Sequence, residues 1–521
     1  MSNPDMKRTR TIVALTALAC LISDVVVAPA LGSAPARCAA LFTAEQLDIP
    51  GAPTNLTWTQ VVTAAGDMPV HCLVAGYVAP QVRFELRLPI PDGERGWNGK
   101  FLMQGCGGLC GEVPSASCDD ALARDYAVVA TDMGHQAPPY QALWAYNNRS
   151  AEIDFAYRAT HVVALAAKSI IERFYGRAPR HSYFRGCSTG GRQGFVEAQR
   201  FPDDFDGIIA GAPVLNETAT AALHLIWSGM ANLDADDQPI LTPAKVDWVH
   251  QTLIGACATE KGPDAAGDRA GGLIEDPRRC DWQALLSKCA NTADEQCVST
   301  REIEVLRKLY GGARNTAGER LQPGGLMPGS EYEWVPNFVG RGGPAVFHPD
   351  GPIKELYQYL IFPDDPGPGH SAREFDFDRD PAHIALMEVI YSALNPDLRK
   401  FRARGGKLIV YQGWDDVEVT PMNTIDYFET MTATMGGAAE TGKFARLFLM
   451  PGVAHCRRGP GADAVDWLGV LERWVEDGET PDSVTAYHLV EPQNYRGLPR
   501  LRYPLGVGKY DWSRSLLPYA D

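Results

Sequence analysis

Positive charge is scarce in this chain. Its 521 residues carry 48 Lys and Arg against 64 Asp and Glu, a formal net charge of −16. A field of that sign repels phosphate backbones, so nucleic acid is not an expected partner. Beyond the N-terminal segment, no run approaches the roughly 20 apolar residues that cross a bilayer, and no membrane span is expected. There is no C-x-x-C pair and no H-E-x-x-H, the spacings that hold zinc, so a structural zinc is not expected either. Internal repeats and low-complexity tracts are also missing. A chain 45% hydrophobic and 21% charged can bury a sizeable core, which excludes a disordered or fibrous protein. The length suits one large domain with a big insertion, or two to three domains. The 11 Trp and 19 Tyr are read first as core packing and second as a grip on an apolar or aromatic ligand.

Lys7, Arg8 and Arg10 precede an apolar run from Thr11 to Ile22, followed by small residues. This is the layout of a secretory signal peptide, with A-x-A cleavage points after Ala30 or Ala36, and residues 1–36 are assigned to it. A lipoprotein signal at Cys20 is the weaker reading, because the usual Leu three residues earlier is absent. Export to the periplasm or the exterior explains the 12 cysteines, since disulfides persist in an oxidising compartment. Without Cys20, eleven remain, enough for five bridges and one free thiol.

The spacing predicts strands at Phe84 to Leu88, Lys100 to Gln104, Tyr126 to Ala130, His181 to Arg185 and Gly207 to Gly211. Helical stretches are expected over Ile153 to Phe174 and Gly191 to Arg200. Alternation of this kind argues for a parallel α/β sheet. Between about Asn216 and Arg399 the alternation stops and Gly, Pro and Asp become frequent. Strands resume at Lys407 to Tyr411 and Ala445 to Met450. Residues 216–399 are therefore read as a lid inserted into an α/β core made of 37–215 and 400–521.

Gly186-Cys187-Ser188-Thr189-Gly190 matches G-x-S-x-G between a strand and a helix, the setting of a nucleophile elbow. A serine hydroxyl needs an adjacent base, and in this arrangement an acid and then a histidine follow, each after a later strand. Asp415 and Asp416 follow one such strand and His455 follows the next. Neighbouring side chains on an extended loop point apart, so only one of the two aspartates can face His455. The other is expected to face solvent or cap the following turn. Gly105-Cys106-Gly107-Gly108 follows an early strand, where backbone N–H groups can approach a substrate oxyanion. A plain tight turn is the alternative, and a dinucleotide loop is disfavoured because Cys110 stands where the third Gly belongs. Cys187 precedes the serine and Cys456 follows the histidine. If Ser188 and His455 meet, a bridge between these two cysteines would join the elbow to the histidine loop.

Gly186 to Arg192 and Pro451 to Cys456 resemble the tannase and feruloyl esterase family. Phe205 to Pro213, Leu273 to Cys280 and Tyr411 to Asp416 support the resemblance, which covers nearly all of the chain after the signal. It implies an exported α/β-hydrolase with an inserted lid, a Ser188–Asp416–His455 triad, and a Cys187–Cys456 bridge. It implies oxyanion amides from Thr189 and from Gly107 or Gly108, and further bridges Cys38–Cys72, Cys257–Cys280 and Cys289–Cys297. Cys106, Cys110 and Cys118 are left without assigned partners. Asp416 is favoured over Asp415 because relatives place a small residue at the earlier position.

Relatives often carry a calcium loop in the lid. Here Ala258 stands at an expected Asp and Gly271-Gly272 replaces an Asp-Gly, leaving Asp264, Asp268 and Glu275 as oxygen ligands for an ion that wants six to eight. The chemistry itself needs no cofactor. The expected activity is serine carboxylic ester hydrolysis on small esters of aromatic acids, such as feruloyl, galloyl or terephthalate esters, with no obligate protein partner. A peptidase on the same fold and a catalytically silent binding protein are the alternatives.

Overall fold

In a computed structural model of the chain, the described residues are 33–43, 47–93, 95–258, 272–287, 297–341, 343–489 and 510–520. The expected signal peptide, with Cys20, lies almost wholly outside them. Its last residues begin a helix, Ala34–Thr43, that Cys38 ties to the sheet through a bridge to Cys72. Of the two cleavage points, the one after Ala36 falls inside this helix.

Nine strands form one sheet. They are β1 (Thr54–Val62), β2 (His71–Val78), β3 (Val82–Pro89), β4 (Lys100–Gln104), β5 (Ala127–Thr131), β6 (His181–Cys187), β7 (Gly207–Gly211), β8 (Lys407–Gly413) and β9 (Ala445–Met450). Their order is β1-β2-β3-β5-β4-β6-β7-β8-β9. The first three run as antiparallel neighbours, and from β5 to β9 every pairing is parallel. The expected strands are all present: β4, β7 and β9 keep their expected bounds, β5 is shifted by one residue, and β3, β6 and β8 are two or three residues longer. The helix read from Ile153 is longer too, running from Arg149 to Tyr175 through a π-helical turn at Asp154–Arg158.

The parallel strands are mostly apolar in their middles because both faces are covered there. Phe101, Met103, Ile208, Leu408, Val410 and Leu447 join a core shared with Ile170 and Phe195 from helices Ala159–Tyr175 and Thr189–Arg200. The alternate residues Leu102, Ile209, Ile409 and Phe448 pack on the opposite face with Leu468, Leu471 and Trp474. Period-two alternation thus assigns each side chain to one of two helical layers. The architecture is an α/β-hydrolase fold.

Between β7 and β8 the described residues contain helices and loops but no strand of the sheet. This segment packs around a separate apolar cluster that includes Val249, Leu306, Trp334, Phe338 and Phe362. Trp334 and Trp474 are among the largest fully buried side chains, in keeping with the core-packing reading of the aromatics.

The Cys38–Cys72, Cys187–Cys456 and Cys257–Cys280 bridges are formed. Cys297 is also disulfide-bonded, and its expected partner Cys289 lies outside the described residues. Two of the unassigned cysteines pair with each other, Cys106 with Cys110, while Cys118 is a buried free thiol. A separation of four residues allows the Cys106 bridge only because the intervening loop turns back sharply, a geometry that spacing alone does not reveal.

Candidate active site

Ser188 follows β6 directly and caps helix Thr189–Arg200 with φ 64° and ψ −125°. Such a backbone costs a non-glycine residue about 1–3 kcal/mol and persists only where its surroundings over-determine it. They do so here. Ser188 N–H donates to the Gly211 carbonyl at 2.9 Å, and its own carbonyl accepts from Arg192 N–H at 3.0 Å and Val214 N–H at 3.2 Å. The turn is also tight: a Cβ on Gly186 would lie 2.5 Å from the Gly190 carbonyl carbon.

Asp416 and His455 come from loops after β8 and β9. His455 Nδ1 and Asp416 Oδ2 are 2.8 Å apart. The carboxylate is fully buried and every side of it is used. Oδ1 accepts from the backbone N–H groups of Glu418 and Val419, both at 2.9 Å, and Oδ2 accepts from Gln412 Nε2 at 2.9 Å. Gln412 is itself oriented by Thr424 Oγ1 at 2.9 Å. Asp416 thus holds a single orientation toward the ring. The two loops are pinned together where Asp415 N–H donates to the Val453 carbonyl at 3.0 Å.

Asp415 does not face solvent. It is buried beneath the inserted segment, and burial together with the nearby Glu331 charge pushes its carboxyl well above the usual carboxylate range. The expectation of an exposed or turn-capping side chain fails because the segment from Gly329 to Tyr332 closes over this loop; the turn is capped by Asp416 itself.

Burial pushes the His455 imidazole down, but the charges of Asp416 and Glu418 and the hydrogen bond to Asp416 outweigh it and raise it to about 9, with Arg458 opposing. His455 Nε2 lies 3.9 Å from Glu418 Oε2. The Cys187–Cys456 bridge sets the residue before Ser188 and the residue after His455 at a Cα separation of 5.9 Å.

The glycine-rich loop after β4 packs on the elbow. Thr189 Oγ1 donates to the Gly108 carbonyl at 2.6 Å, and Cys106 N–H donates to Gln193 Oε1 at 3.3 Å. Gly108 has φ 57°, and a Cβ there would meet the Pro139 carbonyl oxygen at 2.5 Å, so the position requires glycine. Gly108, Thr189 and Ser188 line one cavity. Gly107, the other oxyanion candidate, is not among its lining residues. The opposite wall comes from the inserted segment and includes Phe347, Ile353 and Leu356.

A family model described as tannase and feruloyl esterase matches residues 66–513. The chain belongs to the tannase and feruloyl esterase family. It is accordingly a carboxylic ester hydrolase. It is 32% identical over 494 residues to mono(2-hydroxyethyl) terephthalate hydrolase of Piscinibacter sakaiensis, covering 81% of this chain and 79% of the relative. It is 30% identical over 449 residues to a probable feruloyl esterase B-2 of Aspergillus flavus, covering 82% of each. The fold is shared with the crystal structure of feruloyl esterase B from Aspergillus oryzae, with TM-score 0.76, 24% identity, and coverage of 94% of this chain and 96% of that one. It is shared too with tannin acyl hydrolase from Aspergillus niger, at TM-score 0.71, 21% identity, and coverage of 93% and 91%.

Several residues that support the site of this esterase were not singled out from sequence. Gln193 lies one helical turn after Thr189, and that i+4 spacing was the available signal. Gln412 and Glu418 flank Asp416, but nothing in their spacing distinguishes them from ordinary loop residues. Of the expected calcium ligands, Asp264 and Asp268 lie outside the described residues. Glu275 gives Oε2 to Arg514 at 2.6 Å, and a cation already paired there competes with a metal for that oxygen. Elsewhere, ligand atoms of His161, Glu197 and Asp204 approach within 4.8 Å of one another, yet none of the three lines the Ser188 cavity.

Proposed function

We propose that this chain is an exported serine esterase that cleaves esters of aromatic, phenolic acids such as ferulate or gallate through an acyl-enzyme. The observation that carries the mechanism is the Asp416–His455 pair, anchored by the Cys187–Cys456 bridge beside the Ser188 elbow. Ser188 Oγ attacks the ester carbonyl while His455 Nε2 takes its proton. Asp416 keeps the ring in the tautomer that leaves Nε2 free and stabilises the imidazolium. The N–H groups of Thr189 and Gly108 receive the developing oxyanion, with Gly107 the second choice for the loop donor. His455 then returns the proton to the leaving alcohol, and water repeats the sequence to release the acid.

The aromatic acyl group is supported by the cavity wall, where Phe347 and Leu356 offer apolar area, and by the feruloyl esterases among the relatives. Export is supported by the disulfides and by the basic-then-apolar N-terminal segment. The reaction calls for no cofactor, and a calcium ion in the inserted lid would act on stability rather than on the chemistry.

Parallel assays with methyl ferulate, methyl gallate and 4-nitrophenyl acetate test this reading, with Ser188→Ala as the control. Hydrolysis of at least one aromatic ester, lost by on the order of 10³-fold or more in Ser188→Ala, is expected. Turnover that survives the substitution would overturn the assignment of the nucleophile, and no hydrolysis of any ester would favour the silent binding protein.

A further inference from the structure

The cavity at Ser188 is apolar and acidic. Among its described lining residues are two carboxylates, Glu217 and Glu418, and no Lys, Arg or His. The two acids are not equivalent. Glu217 is buried and answered by the fully buried Arg192, Nε to Oε2 3.3 Å. Glu418 also lines the cavity, with about a quarter of its side chain (27%) exposed, and the ion pair it makes is with His455 Nε2 at 3.9 Å. Arg458 acts on both His455 and Glu333, but it does not line the cavity. A substrate group entering here therefore meets an apolar wall and an acidic side chain beside the reacting atoms.

We infer that Glu418 makes the cavity a charge filter, so that the enzyme takes esters whose acyl and alcohol groups are uncharged and discriminates against esters that keep a free carboxylate. This inference rests on the esterase reading and narrows its substrate class. Two physical costs fall on an anionic substrate. In the reactive form, with His455 neutral, its carboxylate loses water in an apolar cavity whose described lining residues include no Lys, Arg or His to pair with, which is expensive for an ion. It is also repelled by Glu418, and that repulsion is strengthened by the apolar lining of the partly open cavity. An uncharged phenolic ester pays neither cost. A monoester of terephthalate, the kind of substrate named for the Piscinibacter sakaiensis relative, pays both.

The test compares two probes of the same shape, monomethyl terephthalate and methyl 4-carbamoylbenzoate, each normalised to its own alkaline hydrolysis rate. Wild-type kcat/KM is expected to favour the carbamoyl ester by about 10-fold or more. Glu418→Gln should cut that preference several-fold, and Glu418→Lys should reverse it, whatever either substitution does to turnover as a whole. Raising the salt concentration should narrow the wild-type preference, a measurement that needs no variant. A merely structural role for Glu418 would lower both rates and leave their ratio unchanged. A normalised wild-type ratio near one, or a ratio unmoved in both variants, overturns the inference while leaving the esterase reading intact. Failure to hydrolyse these probes and methyl ferulate alike overturns both.

Discussion

Cys187 and Cys456 are separated by 269 residues, yet a disulfide brings their α-carbons to 5.9 Å. Each is the immediate neighbour of a residue placed in the proposed triad, so the bridge links the elbow after β6 to the histidine loop after β9. Those strands are not neighbours, because β7 and β8 lie between them. Sheet hydrogen bonding fixes the separation of the strands but leaves the two loops free to move relative to each other. A covalent link between the loops removes that freedom where the proposed proton transfer would demand it.

Opening the link should therefore cost both stability and rate. The Cys187→Ser, Cys456→Ser double variant is expected to lose up to about 5.6 kcal/mol of stability, the chain-entropy limit for a loop of 269 residues. Ester turnover should fall at least tenfold even where the variant is fully folded. Denaturant unfolding and a turnover assay at matched folded concentration check the two effects separately. Mass mapping of the wild type should recover Cys187 and Cys456 in one crosslinked peptide pair.

The adjacent aspartates should respond very differently to amidation. Asp416→Asn puts an amide donor against His455 Nδ1 and favours the wrong tautomer, which should reduce turnover by about 10⁴-fold. Burial and the Glu331 charge push the Asp415 carboxyl well above the usual carboxylate range, toward the neutral acid. Asp415→Asn replaces that acid with a group of nearly the same shape and polarity, so turnover should change less than tenfold. Steady-state kinetics on the two purified variants rank them.

The pH profile should carry the mark of an elevated histidine. In the proposed mechanism His455 must be neutral to accept the serine proton, and its environment raises it to about 9. Between pH 7 and that value, kcat/KM for an uncharged ester should climb about tenfold per unit and then level off. Stability runs the other way. A histidine with its folded value above the unfolded 6.5 contributes its full stabilisation below pH 6.5 and loses it as pH rises through about 9. Thermal midpoints measured across that window should therefore fall as activity rises. Asp416→Asn should shift the acidic limb of the residual activity downward.

Cys118 offers a check on the core that is independent of the active site. It is fully buried, and burial raises its thiol to about 11 despite the opposing charges of Arg87 and Arg185. A thiolate is the reactive form, so Cys118 should resist alkylation in the native protein. Peptide mapping should find it modified only after unfolding, with at least a 100-fold difference in labelling rate.

The parallel strands, the elbow and the position of the histidine were all legible in the sequence because each depends on local chemistry. Apolar runs such as Gly207–Gly211 can be covered on both faces only inside an α/β sheet. Gly186 and Gly190 flank Ser188 because a sharp strand-to-helix turn leaves no room for side chains. What the sequence could not settle were relationships between segments remote in the chain or hidden by their own turns. Cys106 and Cys110 meet because their loop folds back, and Cys118 stays single because it is sealed against β5. The choice between Asp415 and Asp416 was posed by the sequence, but their surroundings were decided by the inserted segment, which buries Asp415 beside Glu331. Glu418 shows the same division most clearly. Two residues past Asp416 it reads as an ordinary loop acid, and only the approach of β8, β9 and the inserted segment sets its carboxylate 3.9 Å from His455 on the wall of an apolar cavity. Local pattern determines which backbone a segment can adopt, whereas the electrostatic character of a site is a sum over neighbours that only tertiary packing brings together.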